Sequence, residues 1–168
     1  MAHQTPAAGS GTTPPAPGQF WPEQNAWYAG PVAYPDGRVF ALLLPADFAA
    51  VGEKAWGEYG RKIEGADSLH DGLSNTQALA AASSPAAAAV MAHGDGCYLP
   101  SRVEALQLFA TLKDQIGGGW IWTSTQSSAD DAWYQLFSGG LQHAYYKGCE
   151  FRAVPVRRLI LQSFGTLA

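Results

Sequence analysis

The chain has 168 residues, 47% of them hydrophobic, and a formal net charge of −4. That is enough apolar content for one sizeable core and, at roughly 150 residues per domain, for a single domain. The acidic balance argues against a nucleic-acid binder, which would show a basic face, and no run of about 18 apolar residues is present to insert in a membrane. The opening residues lack the charged and apolar regions of a secretory signal, so the expectation is a soluble protein made in the cytoplasm.

Residues 1–18 hold four prolines among Ala, Gly and Thr, without apolar periodicity, and read as a flexible arm. The arm is either a solvated tail or a docking segment for a partner, and residues 19–168 are expected to form the single domain. Trp27–Val32 reads as a strand, Tyr34-Pro35-Asp36-Gly37 as a type I turn, and Val39–Leu44 as the returning strand. The continuous apolar run of that second strand suits burial on both faces. Pro45–Tyr59 places Phe48, Val51, Ala55, Trp56 and Tyr59 at spacings compatible with a short helix interrupted at Gly52. Arg61–Gly72 is a polar connector whose Asp67 and Asp71 lack EF-hand spacing, which favours a capped loop over a calcium site.

Ser74-Asn75-Thr76-Gln77 has the form of a capping box opening a helix through Ala82. Pro85 suits the first position of a second short helix running to about Ala92. Ser101-Arg102-Val103-Glu104 is another capping box. Its helix, to about Lys113, puts Val103, Leu106 and Ala110 on one stripe with Phe109 and Leu112 adjoining, and Arg102, Glu104, Gln107 and Lys113 on a polar face. Gly117-Gly118-Gly119 ends it. Ile121–Thr125 is then a strand, Gln126–Asp131 a polar loop, Trp133–Phe137 and Leu141–Tyr146 a hairpin, and Phe151–Leu161 the last strand. By the period of two, Val154, Val156 and Ile160 share a face expected to be core. The predicted fold is α+β, with a mixed, mainly antiparallel sheet, neighbouring N- and C-terminal strands, two or more helices on one side and a C-terminal β-hairpin region.

Several of these stretches resemble one family. Tyr98-Leu99-Pro100-Ser101 with Glu104, Trp120-x-Trp122-Thr123-Ser124-Thr125, Ala132-Trp133-Tyr134 with Phe137, and Arg152-Ala153-Val154-Pro155-Val156-Arg157-Arg158 are similar to the Lcl C-terminal domain family, over about 96–161. Asp71-Gly72-Leu73-Ser74-Asn75-Thr76 looks like a part of its phage and prophage members. The resemblance implies a C-type-lectin-like fold and a bacteriophage virion protein of tail or capsid surface. Such a protein would contact a host-surface glycan or protein receptor, be a homo-oligomer, and join other virion or tail proteins through residues 1–18. Cys97 and Cys149 depart from the family pattern.

No nucleophile elbow, zincin, P-loop or dinucleotide fingerprint occurs, so a non-enzymatic binding module is expected, without metal or cofactor. The alternatives are a purely structural virion subunit and a lectin-fold enzyme of the formylglycine-generating type, which would use a cysteine pair. Cys97 and Cys149 read as two unpaired thiols, with a bridge between them left open. Trp120, Trp122 and Trp133 are assigned to the core. Ser127, Ser128, Asp130, Asp131, His143, Tyr145, Tyr146 and Lys147, on a loop and an outer strand, are the ligand-binding candidates, because tyrosines among small polar residues make adaptable contact surfaces. Asp130, His143, Tyr145, Tyr146, Gly148 and Cys149 are also reachable from an asparagine codon by changing adenines, the pattern of retroelement-diversified lectin folds.

Overall fold

The computed structural model describes residues 13–162; residues 1–12 of the expected arm and residues 163–168 lie outside them. In chain order the elements are β1 (Phe20–Trp21), β2 (Ala26–Ala33), β3 (Val39–Pro45), β4 (Glu53–Ala55), α1 (Gly72–Ala81), α2 (Pro85–His93) and α3 (Arg102–Ile116). They are followed by β5 (Trp120–Gln126), β6 (Asp131–Leu136), β7 (Gln142–Tyr146), β8 (Glu150–Arg152) and β9 (Arg157–Gln162). The architecture is α+β, but the strands divide into two sheets rather than one. An antiparallel sheet has the order β1-β2-β3-β9 and a second the order β4-β8-β5-β6-β7, in which β5–β8 is a parallel pair.

The N-terminal hairpin forms as expected, closed by the Gly37 N–H donating to Tyr34 O at 3.0 Å. β9 pairs with β3, so the C-terminal strand joins the sheet of the N-terminal hairpin, but β1 lies at the opposite edge and the first and last strands are not the neighbours expected. β3 is covered on both faces: Leu42 and Leu44 enter the main core, whereas Ala41 and Leu43 pack with Trp21 and Tyr28. Of the proline-rich segment, Gly18 N–H donates to Tyr28 O (2.7 Å), and Pro17 lies against Gly30, so residues 17–18 follow β2. α3 contributes Leu108, Leu112 and Ile116 to the core that holds Val32 and Leu42 of one sheet and Ile121 of the other. α1 and α2 bury Leu79, Ala87 and Val90 against Trp56 and Trp122.

Four local readings are corrected. Pro45–Tyr59 is not a helix: after a 3-10 turn at Phe48–Ala50 the chain turns at Gly52, whose φ of 75° favours glycine, and enters β4. Pairing of Lys54 with Phe151 on β8 outweighs the weak helical pattern. α1 starts before Ser74, because the Asp71 carboxylate caps it by accepting from Ser74 N–H at 3.0 Å. There Gly72 meets the start of α3 so closely that a Cβ would stand 2.5 Å from Leu99 O.

The capping box of α3 is present in full, yet Glu104 is 1% exposed rather than on a polar face. Its carboxylate accepts from Tyr98 OH (2.5 Å), Tyr34 OH (3.0 Å), Gly72 N–H (3.0 Å) and Ser101 N–H (3.0 Å). Burial raises the Glu104 pKa even against these donors. Arg158 donates to Tyr34 OH and Asp71, which ties β9 to the same knot. The buried stripe of α3 is therefore Ala105, Leu108, Leu112 and Ile116, and Leu106 is exposed. Finally, the expected last strand splits into β8 and β9 around Pro155. Val154 and Val156 are buried in the crossing between sheets, while Ile160, on the terminal strand of the other sheet, is 59% exposed.

Candidate functional site

The outer face of the second sheet follows from its register. Trp122 stands opposite Tyr134, Tyr134 opposite His143, and Ala132 opposite Tyr145. With side chains alternating along each strand, Trp120, Trp122, Tyr134, His143 and Tyr145 share a face, and Trp133 turns to the other. There Trp133 lies under the Arg102 guanidinium at 3.7 Å. The rings form a connected strip. Phe151 contacts Trp120 (5.3 Å), Trp122 (4.6 Å), Tyr134 (5.6 Å) and Tyr145 (5.7 Å), while Tyr145 contacts Tyr146 (5.4 Å) and Tyr146 meets Tyr59 edge-on (5.5 Å).

One end of this strip is roofed and the other is open. Trp122 is fully buried with Trp56, Leu79 and Ala87, its indole N–H donating to Lys54 O at 2.9 Å. Trp120, Tyr145, Tyr146 and Tyr59 are 40%, 43%, 54% and 59% exposed. Two surface hollows lie along the open part. One, of about 470 Å³, is lined by Asp131, Tyr134, His143, Ala144, Tyr145 and Tyr146. The other, of about 330 Å³, is lined by Glu53, Gly118, Gly119, Trp120, Phe151 and Arg152.

The predicted loop residues are held at the first hollow. Ser128 Oγ accepts from Asp130 N–H (3.1 Å) and Asp131 N–H (3.0 Å), and the Ser127 and Ser128 N–H groups donate back to Asp131 O. Ser127 and Ser128 are exposed, and the Ser128 hydroxyl caps the turn. Asp130 O accepts from Lys147 N–H (3.0 Å), fixing the loop to the end of β7. The Asp130 carboxylate raises the pKa of the neighbouring Tyr59 hydroxyl. Asp131 Oδ1 is enclosed and has no hydrogen-bond partner among the described residues. His143, Tyr145 and Tyr146 are exposed on β7.

Lys147 is the exception among the candidates. It is fully buried, with Nζ donating to Arg61 O and Gln126 Oε1, both at 2.7 Å, and lying 5.0 Å above the Trp56 ring. Gln126 in turn accepts from Ile63 N–H and donates to Ile63 O and Asp67. Burial lowers the Lys147 pKa from 10.5 to about 8, with Asp130, Asp131 and Asp67 opposing the shift. Lys147 therefore cannot touch a ligand; it fastens the irregular segment 56–67 beneath the hairpin. A lysine at the end of a strand carries no sequence sign of turning inward.

Four further residues belong to this strip: Tyr59, Trp120, Phe151 and the buried Tyr134. The sequence predicts a helix around Tyr59 and a core position for Trp120. The signal for Trp120 was its place beside three glycines, where neighbouring chain offers no side chains to cover a ring. Cys97 and Cys149 are both free. Burial raises the Cys97 thiol pKa, the opposite of nucleophile activation. Among the described residues no group of three or more His, Cys, Asp or Glu could hold a metal ion.

No family model, no curated protein and no solved structure matches the chain.

Proposed function

We propose that the protein is a non-enzymatic binding module of a bacteriophage virion, made in the host cytoplasm and displayed on tail or capsid. In this reading it contacts a host-surface glycan or protein through the open aromatic strip. The supporting observation is the strip itself: the exposed rings of Trp120, Tyr145, Tyr146 and Tyr59 are joined through Phe151 and the buried Tyr134, with two hollows along them and carboxylates among the lining residues. Rigid aromatic rings give large contact area at low entropy cost, and a contiguous exposed apolar patch marks an interaction site.

A C-type-lectin-like classification within the Lcl C-terminal domain family belongs to the same reading. Its support is the pairing of the C-terminal strand β9 with the N-terminal hairpin through β3 and a second sheet that presents the C-terminal hairpin. Asp130, His143, Tyr145, Tyr146, Gly148 and Cys149, the residues related to an asparagine codon, all lie on or beside β7, which fits a surface varied for recognition. Attachment to other virion or tail proteins through residues 1–18, and homo-oligomerisation, complete the proposal.

The test is binding of the purified full chain to host bacteria, compared with a Tyr145→Ala/Tyr146→Ala variant. Binding that falls at least tenfold in the variant supports the reading. Wild-type protein that adheres to no host cell, or a variant that binds equally well, overturns it; retained infectivity of virions carrying the variant favours a purely structural subunit.

A further inference from the structure

We infer that the hollow beside β7 receives a lysine or arginine side chain carried on an extended segment of a partner protein, which pairs with the outer edge of β7. The inference rests on the proposed role of this face in binding and specifies the chemistry of what binds there.

Three observations converge on it. β7 is the terminal strand of its sheet, so one edge of its backbone has no strand beside it among the described residues. Edge strands invite pairing unless blunted by lysine, proline or a bulge. β7 reads Gln142-His143-Ala144-Tyr145-Tyr146, with none of those residues, and it keeps an unbroken five-pair register with β6.

The hollow opens along this strand, and its walls are the rings of Tyr134, His143, Tyr145 and Tyr146. Tyrosine faces attract a cation held within about 6 Å. Asp131 completes the lining and brings a carboxylate to it. The buried ammonium of Lys147 does not bond that carboxylate, because its hydrogen bonds go to Arg61 O and Gln126 Oε1. With Asp130 and Asp131 against that one ammonium, the rim stays negative.

A basic side chain on a β-strand satisfies all three features together. Its backbone supplies the main-chain hydrogen bonds, and alternate side chains of a paired strand fall on the face that carries the hollow. An amino sugar could meet the carboxylate and rings but would leave the strand edge unused.

The experiment titrates the folded full chain with blocked hexapeptides of alternating Thr and Val whose central residue is Arg, Lys or norleucine, and with a glucosamine oligomer. The Arg and Lys peptides are expected to bind at least tenfold more tightly than the norleucine peptide. Asp131→Asn should weaken the Arg peptide by about tenfold, or about 1.4 kcal/mol, without affecting the norleucine peptide. If Asp131→Asn fails to fold, Tyr145→Ala, at an exposed position, should produce a comparable loss. Equal binding of Arg and norleucine peptides overturns the inference. So does Asp131-dependent binding of the sugar with none of the peptides. Tyr145/Tyr146-dependent adhesion to host cells without any peptide binding removes this inference and leaves the broader proposal standing. Asp131-dependent peptide binding without adhesion does the reverse.

Discussion

Lys147→Met isolates the buried ammonium while roughly keeping side-chain volume. In the folded protein Lys147 titrates at about 8, against 10.5 as its ordinary value. A lysine depressed by folding binds fewer protons in the native than in the unfolded state between those values, so its contribution to stability is present above 10.5 and lost as pH falls through about 8. Integrating that difference gives a wild-type gain of about 2.5 kcal/mol between pH 7 and pH 10 from this one group, at ~1.4 kcal/mol per pH unit. Other titrating side chains contribute to both proteins and cancel in the comparison. Urea unfolding of wild type and Lys147→Met at the two pH values measures it. The wild-type stability minus that of the variant should rise with pH by roughly this amount. A flat difference, or a fall, would show that Lys147 is solvated and that the hydrogen bonds to Arg61 O and Gln126 do not enclose it.

Removing the carboxylate with Glu104→Ala strands four donors and should cost about 3–5 kcal/mol, read as a melting temperature lowered by about 10 °C. Because burial raises the Glu104 pKa, its contribution is fully present below the ordinary carboxylate value and declines as pH rises through the folded value. Wild type should therefore lose stability relative to Glu104→Gln on going from acid to neutral pH; the opposite slope in chemical denaturation would refute the assignment. Gly140→Ala would place a Cβ 2.7 Å from the Phe109 ring at a φ of 77°, so a loss of about 1–3 kcal/mol is expected, whereas unchanged denaturation would show a mobile turn. Tyr145→Ala/Tyr146→Ala, at exposed positions, should change thermal stability by less than about 1 kcal/mol while reducing binding, which a melt run beside the adhesion assay checks.

Local signals decide the structure where the chain needs nothing distant to act on them. The Ser101–Glu104 box, Pro85 at the start of α2, and the Tyr34–Gly37 turn all appear as expected, because each satisfies backbone groups within a few residues. Errors gathered where a long-range partner decides. Asp71 took the cap assigned to Ser74. The segment around Gly52 became β4 through β8, and one expected C-terminal strand was divided between two sheets. Of the candidate site residues, Asp131, His143, Tyr145 and Tyr146 line one hollow and Ser127, Ser128 and Asp130 lie in the turn before β6, whereas Lys147 points inward. Its ammonium could be placed only by the carbonyl of Arg61 and the amide of Gln126, far from it in sequence.

The amino-acid sequence by itself determined the α+β composition, the hairpins, the capped helices and the concentration of aromatic residues after Trp120, because propensity, capping and periodicity act over one or two turns of chain. Only the tertiary structure decided which aromatics are core and which form a surface. Trp122 is roofed by the segment carrying Trp56 and by α1 and α2, and Trp120, two residues away on the same face, is not. A strand's period of two assigns a side chain to a face, but whether that face is covered depends on what folds over it.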